Sequence, residues 1–316
     1  MSERTLVTGA LGCIGAWTIK ALLDRGEEPV GFDRGRDSHR LQLILEDAEL
    51  ARVTLVQGDI ADPESVGRAL DEHEVTRIVH LAALQVPFCR AEPVLGARVN
   101  VVGTVTLFEA VKARRDRISG LAYASSTAVY NASDSSPAPE SGGTTPATLY
   151  GVYKLANEGT ARVFFEEEGI ASIGIRPYVV YGPGRDQGMT SGPTLAMEAA
   201  ARGESFTIAY GGSAQYDYAP DVGEAFVRAV RAATDGAHVA NFPGVVAPMA
   251  EMLAAIEAAA PEAVGKITAS DESLPFPETL EAALLERLVG ALPHTPLADG
   301  VSRTIEHFRT RRPVDR

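Results

Sequence analysis

Tyr150 and Lys154 are the two residues of this 316-residue chain whose types and spacing most directly imply chemistry. Four positions apart on a helix, they share one face, which brings an ammonium close enough to lower the phenol pKa from about 10 toward the working pH. A phenol tuned in this way can take or return the proton of a carbinol while hydride moves to or from a nicotinamide. The chain has nine tyrosines but only four lysines (Lys20, Lys112, Lys154 and Lys266). A chance YxxxK match is therefore expected about 0.1 times, so the pair carries weight. Tyr153 adjoins Lys154 and projects about 100° away around the helix, which makes it the poorer acid/base candidate. Upstream, Ser125, Ser126 and Thr127 follow an apolar, strand-like run. A hydroxyl there stands at the carboxyl edge of a sheet, where it can bond the reacting oxygen.

The carrier of the hydride is implied near the N-terminus. Residues 5–15 read TLVTGALGCIG: a strand-like run, then Gly9, Gly12 and Gly15, with a helix opening at about Cys13 and Ile14. A strand that ends in a glycine turn and opens a helix aims backbone amides and the positive helix end at a pyrophosphate, and side chains at those glycines would block the approach. Eighteen positions after Gly15 the next strand ends in Asp33, whose carboxylate can accept from both hydroxyls of an adenosine ribose. A 2′-phosphate would be repelled there, which favours NAD over NADP, although Arg34 and Arg36 alongside leave NADP open. Later strand ends bring Gly58, Asp59 and Ile60, then His80, Leu81, Ala82 and Ala83. Small residues there let a flat cofactor lie close to the backbone.

These residues need a scaffold, and the pattern of the first half provides one. Short β-branched apolar runs alternate with amphipathic segments, as in βαβ units around a parallel sheet. Strands are expected near 4–8, 29–33, 53–57, 77–80, 118–124 and 172–175. The first helix should end at Gly26, and Asp62-Pro63-Glu64 reads as an N-cap, a first-turn proline and an acid facing the helix dipole. Longer helices are expected over 94–115 and 148–168, with others over 219–233 and 249–260. Residues 133–146, rich in Ser, Pro, Gly and Thr, read as a loop on the rim of the active site. From Tyr181 the rhythm changes to long turn-rich stretches with few strands. The expected division is a dinucleotide-binding domain over 1–180 that also receives about 214–244, and a smaller mixed substrate domain over 181–213 and 245–316. The basic tail, RTRRPVDR, reads as a solvated, frayed end.

Composition narrows the class. With 45% hydrophobic and 22% charged residues, the chain is an ordinary globular α/β protein and not a disordered or fibrous one. A net charge of -13 argues against nucleic acid or an anionic membrane as partner. Two cysteines, Cys13 and Cys89, make no disulfide framework, no Cys or His spacing suggests a metal, and the six histidines form no HExxH-like pair. The N-terminal residues lack the apolar stretch of a signal peptide, and no apolar run approaches the roughly 20 residues of a membrane span, so a cytoplasmic location is expected.

Taken together, the glycine loop, Asp33, the GDI of 58–60, the HLAA of 80–83, Asn100, the SSTAVY of 125–130, Tyr150 and Lys154, and the RPYVVYGPG of 176–184 resemble an extended short-chain dehydrogenase/reductase of the NAD-dependent epimerase/dehydratase superfamily. The resemblance spans nearly the whole chain. It implies a Rossmann-type doubly wound sheet, NAD as cofactor, and Ser126 as the hydroxyl of the catalytic set. It also implies Tyr150 as acid/base, Lys154 on the nicotinamide ribose, Asn100 supporting the cofactor site, and residues 177–180, including Tyr178 and Val180, flanking the nicotinamide. A homodimer through the 94–115 and 148–168 helices is implied as well. Where sugar-nucleotide enzymes of this family carry an Asn and an Arg that grip a diphosphate, this chain has Val179 and Ala214. Losing such charge-assisted bonds, about 1.5–3 kcal/mol each, disfavours a diphosphate-linked sugar and moves the resemblance toward the threonine and uronate dehydrogenase branch.

The expected function is thus an NAD-dependent dehydrogenase acting on a secondary alcohol of a small polar substrate, a sugar, sugar acid or hydroxy acid. The alternative is an epimerase that shares the first step and returns the hydride to the opposite face. A dinucleotide-sensing protein without catalysis is disfavoured by the intact Ser126, Tyr150 and Lys154 set. Gln85, Thr145, Met189, Thr190 and Ser191, in loops expected over the nicotinamide edge, are the candidates for substrate selectivity.

Overall fold

A computed structural model describes residues 3–311. Its centre is a sheet of short strands, mostly buried except for the exposed edge strand β3: β1 (Thr5–Thr8), β2 (Val30–Asp33), β3 (Thr54–Gln57), β4 (Arg77–His80), β5 (Gly120–Ala124) and β6 (Ser172–Arg176). All pair in parallel in the order β3-β2-β1-β4-β5-β6. This is the doubly wound dinucleotide-binding order, which reverses direction at β1 and opens a crevice beyond the carboxyl ends of β1 and β4. Apolar layers cover both faces. One contains Ile19, Leu22, Val222 and Phe226, the other Leu70, Leu107, Phe108 and Tyr123.

Beyond β6 come β7 (Val179–Tyr181), β8 (Phe206–Ile208), β9 (Ser213–Tyr218), β10 (Ala237–Asn241), β11 (Val245–Pro248) and β12 (Ile267–Ala269). The parallel sheet gains β10 on its β6 edge, whereas β7, β9 and β11 form a separate three-stranded sheet and β8 and β12 a pair. Few strands are expected here from the sequence, because most of these runs are three to five residues long and carry almost no periodicity. Residues 214–218, expected with the dinucleotide domain, lie in the small sheet. The return to the large sheet comes with the Ala219–Arg231 helix, which packs on the Cys13–Leu23 helix. The small sheet, the Gly192–Ala201 and Met249–Ala259 helices and the Leu297–Thr310 helix enclose an apolar layer of their own around Tyr181, Met197, Tyr216 and Met252.

Several local expectations change. The helix expected over 94–115 spans Pro93–Lys112 and contains a π-turn, Arg98–Val102, centred on Asn100. Its 20 residues are long and apolar enough to cross a membrane by composition, contrary to the expectation that no run is. Half of that stretch is buried inside the protein, and the helix packs against the Pro63–Glu72 and Leu149–Glu168 helices. No residue of the 133–146 loop lines the large cavity. The loop lies instead along 279–284, with Ala138 bridged to Leu280 and the Glu140 carboxylate accepting from Asn241 N and Leu284 N. The basic tail is tied down where it is described: Arg309 pairs with Glu262, and Arg311 pairs with Glu46 and donates to Leu45 O at 2.9 Å. Residues 312–316 lie outside the described residues.

Candidate active site

A cavity of about 650 Å³ runs along the carboxyl edge of the sheet, from the glycine turn at one end to Arg185 and Phe276 at the other. At the first end the glycines let backbone segments pack together where any side chain would collide. A Cβ on Gly9, whose φ is +69°, would stand 2.7 Å from Ala82 N, and one on Gly15 would stand 2.2 Å from Gly9 O. Gly12 caps the Cys13–Leu23 helix without a side-chain bond, so backbone amides at Cys13 and Ile14 face the cavity as an anion site. Asp33 is fixed by amides on either side, Leu11 N at 3.0 Å and Gly35 N at 2.9 Å. Arg34, Arg36, Asp59, Ile60, Leu81, Ala82 and Ala83 complete this groove. A cradle of bare backbone ending in a held carboxylate fits a dinucleotide: Gly9, Gly12 and Gly15 would admit its pyrophosphate, and Asp33 would receive a ribose.

His80, at the end of β4, is not part of this surface. It is buried between Thr8 Oγ1 at 2.8 Å and Thr104 Oγ1 at 3.1 Å, and burial together with the charge of Lys154 lowers its pKa to about 3, which keeps it neutral. Asn100 also stays out of the cavity. Its amide accepts from Leu84 N at 2.7 Å and donates to Leu84 O at 2.9 Å, so it sets the course of the 81–84 segment. The π-turn widens the helix at that point, a distortion that recurs at functional sites.

In the middle of the cavity three side chains meet. Thr148 caps the Leu149–Glu168 helix by accepting from Gly151 N at 3.0 Å. Gly151 lets that helix touch the turn after β5, since a Cβ there would lie 1.9 Å from Ala128 O. This contact sets Tyr150 beside Ser126, whose hydroxyl lowers the phenol pKa and accepts from Ala128 N at 3.1 Å. Lys154 is buried, donates to Ala124 O at 2.7 Å, and has its Nζ 5.6 Å from the centre of the Tyr150 ring. Tyr153 turns away and donates to Pro93 O.

The electrostatics differ from the sequence expectation. Burial pushes the Tyr150 phenol above its ordinary value, against the lowering by Ser126 and by the charge of Arg185. Burial lowers the Lys154 ammonium itself to about 8, against Cys89 and Glu158. Beneath this pair, Glu158 forms a buried ion pair with Arg176 at 2.7 Å and accepts a short bond from Ser125 Oγ. Arg176 in turn donates to Tyr130 Oη at 2.5 Å. The i, i+4, i+8 series Tyr150, Lys154, Glu158 is readable in the sequence, but nothing there gives Glu158 its partner in β6.

At the far end the cavity is lined by Gln85, Tyr178, Val180, Arg185, Gln187, Met189, Thr190 and Phe276. Of the expected selectivity residues, Gln85, Met189 and Thr190 lie here, and two do not. Thr145 is exposed and bonds to Asp134 and Asn131. Ser191 is buried and donates to Gly188 O at 2.9 Å, where it serves the start of the Gly192–Ala201 helix. Both errors arise from judging loops by chain position alone. Arg185 and Phe276 carry no local signal in the sequence and were missed. Arg185 Nη2 donates to Thr190 Oγ1 at 3.1 Å, and the Gln85 amide, turned to its hydrogen-bonding orientation, accepts from Nη1 at 3.2 Å. Its Nε–H is buried with no acceptor among the described residues.

Comparison with known proteins agrees with this geometry. Residues 5–242 match the model of the NAD dependent epimerase/dehydratase family. A UDP-glucose 4-epimerase of Mycolicibacterium smegmatis is 33% identical over 98% of this chain and 99% of its own length. UDP-glucuronate 4-epimerase 6 of Arabidopsis thaliana is 34% identical over 56% of this chain and 40% of its own length. Among solved structures, the UDP-glucose 4-epimerase of Thermus thermophilus in complex with NAD superposes with a TM-score of 0.82 at 27% identity, covering 97% of this chain and 99% of that one. With its glycine cradle, its carboxyl-edge Ser126, Tyr150 and Lys154, and full-length likeness to these enzymes, the chain belongs to the NAD-dependent epimerase/dehydratase family of the extended short-chain dehydrogenase/reductases and is an NAD-dependent enzyme.

Proposed function

We propose that the protein is an NAD-dependent epimerase that inverts a ring carbinol of a sugar by way of a transient ketone, with Tyr150 as acid/base. The observation that carries this reading is the meeting of Ser126, Tyr150 and Lys154 at the midpoint of the cavity, between the dinucleotide cradle and the end lined by Arg185. NAD, when bound there, supplies a reversible acceptor and donor of hydride. The chain's own residues manage the proton and the orientation. Ser126 holds the reacting oxygen against Tyr150. Tyr150, as the phenolate, takes the carbinol proton as the ketone forms and gives it back after the ketone has turned its other face. The buried Lys154 ammonium beside the ring offsets the negative charge that the phenolate carries before it takes that proton.

Arg185 supports an acidic sugar as substrate. An arginine lining a cavity with one buried N–H lacking an acceptor is suited to a carboxylate, which accepts two bonds from a guanidinium. The names of the relatives cover both a neutral and an acidic hexose carried on UDP. A second reading, a net dehydrogenase, is the first expectation from the sequence. It is favoured by Val179 and Ala214, which are buried in the small sheet and bring no polar group to the cavity. The epimerase reading ranks above it because two proteins that match along the full chain, at 33% and 27% identity, carry epimerase names.

One experiment separates them. The purified protein is incubated with UDP-glucose, UDP-glucuronate, glucose and glucuronate, without and with added NAD, while NMR follows inversion and absorbance follows NADH. Inverted sugar without NADH supports epimerisation, and NADH formed in step with an oxidised product overturns it.

We also infer a homodimer. Val94, Val102 and Val105 on the Pro93–Lys112 helix and Leu149, Val152 and Val163 on the Leu149–Glu168 helix are large apolar side chains left exposed on adjoining helices. Sedimentation showing a monomer at micromolar concentration would contradict it.

A further inference from the structure

The loop between β7 and the Gly192–Ala201 helix supplies Arg185, Gln187, Met189 and Thr190 to the substrate end of the cavity. It is a pliable segment by sequence, with Gly182, Gly184 and Gly188 all at positive φ (+127°, +87° and +104°). Part of what holds it comes from the opposite end of the cavity. Arg40 donates through Nε at 3.0 Å and Nη2 at 2.7 Å to Asp186 Oδ1, and His39 Nε2 lies 2.8 Å from Asp186 Oδ2. The other ring nitrogen of His39 lies 2.8 Å from Asp37 Oδ2. Arg40 Nη1 also donates to Leu11 O at 3.0 Å, and Leu11 N donates to Asp33. An unbroken chain of bonds therefore runs from the ribose-anchoring carboxylate, through the glycine turn and Arg40, to Asp186 beside Arg185.

Both oxygens of Asp186 are taken by the His39–Ile44 helix, and the Asp186–Arg40 pair is largely buried. Asp37, His39 and Arg40 line the cavity beside Asp33 and Arg34, whereas Asp186 does not touch it. A ligand on the adenosine side that orders residues 33–40 thus also orders the partners of Asp186, at no direct contact with the loop. Further ties bypass Asp186: Trp17 Nε1 at 2.9 Å and Cys13 Sγ at 3.8 Å donate to Pro183 O from the Cys13–Leu23 helix, and Tyr210 Oη donates to Thr190 O at 3.5 Å.

We propose that Asp186 is a positioning residue, the clasp through which the adenosine end of the dinucleotide groove fixes the substrate loop 183–190. The cofactor then prepares the substrate end from a distance, and the coupling is reciprocal: closure of the substrate loop tightens the hold on the adenosine side. This rests on the division of the cavity into a dinucleotide end and a substrate end. It is independent of whether the reaction is an epimerisation or a net oxidation.

The test uses ADP, which matches the adenosine half of the cofactor and has no nicotinamide to reach the loop. Hydrogen exchange of the 183–190 amides is measured in the full chain with and without saturating ADP, for the wild type and for Asp186→Asn, whose thermal transition is recorded alongside. The expected result is at least a roughly fivefold slowing by ADP in the wild type, the lower range of ordinary coupling, and no slowing in Asp186→Asn although ADP still binds. Trp17→Phe, which spares the clasp, is expected to keep the slowing. If Asp186→Asn does not fold, Arg40→Lys, which retains the charge but not the paired N–H donors, is expected to lose at least half of it. An unchanged loop in ADP-bound wild type, or full slowing in the clasp variant tested, overturns the proposal. Either outcome is independent of the sugar turned over, so a failure here and a failure of the proposed reaction are distinguishable.

Discussion

The two ends of the cavity are built by different means. At the dinucleotide end the recognising groups are mostly backbone: bare glycine, the first amides of a helix, and a carboxylate itself held by two amides. At the substrate end they are side chains set on short strands and a glycine-rich loop, Tyr178, Arg185, Thr190 and Phe276 among them. Buried polar atoms there lack partners among the described residues, namely Arg185 Nε and the hydroxyl of Tyr178. The first end is therefore complete as folded, with recognition fixed by chain geometry. The second keeps hydrogen-bonding capacity in reserve, which is how a site distinguishes one substrate from another.

Substitutions that act on one end and spare the other can break this contrast or sharpen it. The largest effect is expected at the junction: Tyr150→Phe lowers turnover by about 10²–10⁴-fold while calorimetry still detects NAD binding, and full activity in the variant would remove Tyr150 from the acid/base role. Next is Gly15→Ala, whose Cβ must displace the Gly9 carbonyl at 2.2 Å. NAD affinity should fall by on the order of 10-fold or more, about 1.4 kcal/mol, and unchanged affinity would mean that the glycine turn is not the pyrophosphate cradle. At the other end, Arg185→Met should raise KM for an acidic sugar roughly 10- to 100-fold, the loss of a charge-assisted bond, with little change for its neutral counterpart. Equal effects on both sugars would reject the carboxylate assignment.

The smallest effect concerns stability. Asp217, wholly buried in β9, accepts from Tyr178 N at 2.6 Å and Gln215 Nε2 at 2.9 Å. Burial raises its carboxyl from 3.8 to about 7, with Asp221 adding to the rise against those two bonds. Between these values the folded protein holds a proton that the unfolded chain has released. This group's stabilising contribution is therefore full below 3.8 and is lost as pH rises toward 7. Denaturant midpoints at about pH 5 and about pH 8 should differ less in Asp217→Asn than in the wild type, and an identical difference would show that Asp217 does not titrate there.

The contrast between the ends also explains what can be read in advance. The six parallel strands are legible because each is a four- or five-residue apolar run bounded by turn residues, and the glycine turn and Asp33 because their spacing follows from backbone geometry. Tyr150 and Lys154 are legible because i, i+4 spacing is a local property of a helix. Past residue 180 the same reasoning weakens. The strands there shorten to three residues in places, and Thr145 and Ser191 were expected in the cavity on loop position alone. The outward-turned Thr145 and the helix-starting Ser191 show that a loop's place in the chain does not determine which way its side chains face.

The sequence by itself determined the parallel sheet, the glycine turn and the Tyr150–Lys154 pair, since each depends on residues within a few positions of one another or on a repeating pattern. The tertiary structure alone decided the rest. It put Arg176 of β6 against Glu158, it seated the Leu149–Glu168 helix on the Ser126 turn through Gly151, and it joined Asp186 to Arg40 across 146 positions of chain. These contacts unite segments far apart in sequence. Their partners are chosen by the packing of whole elements, which no local spacing encodes.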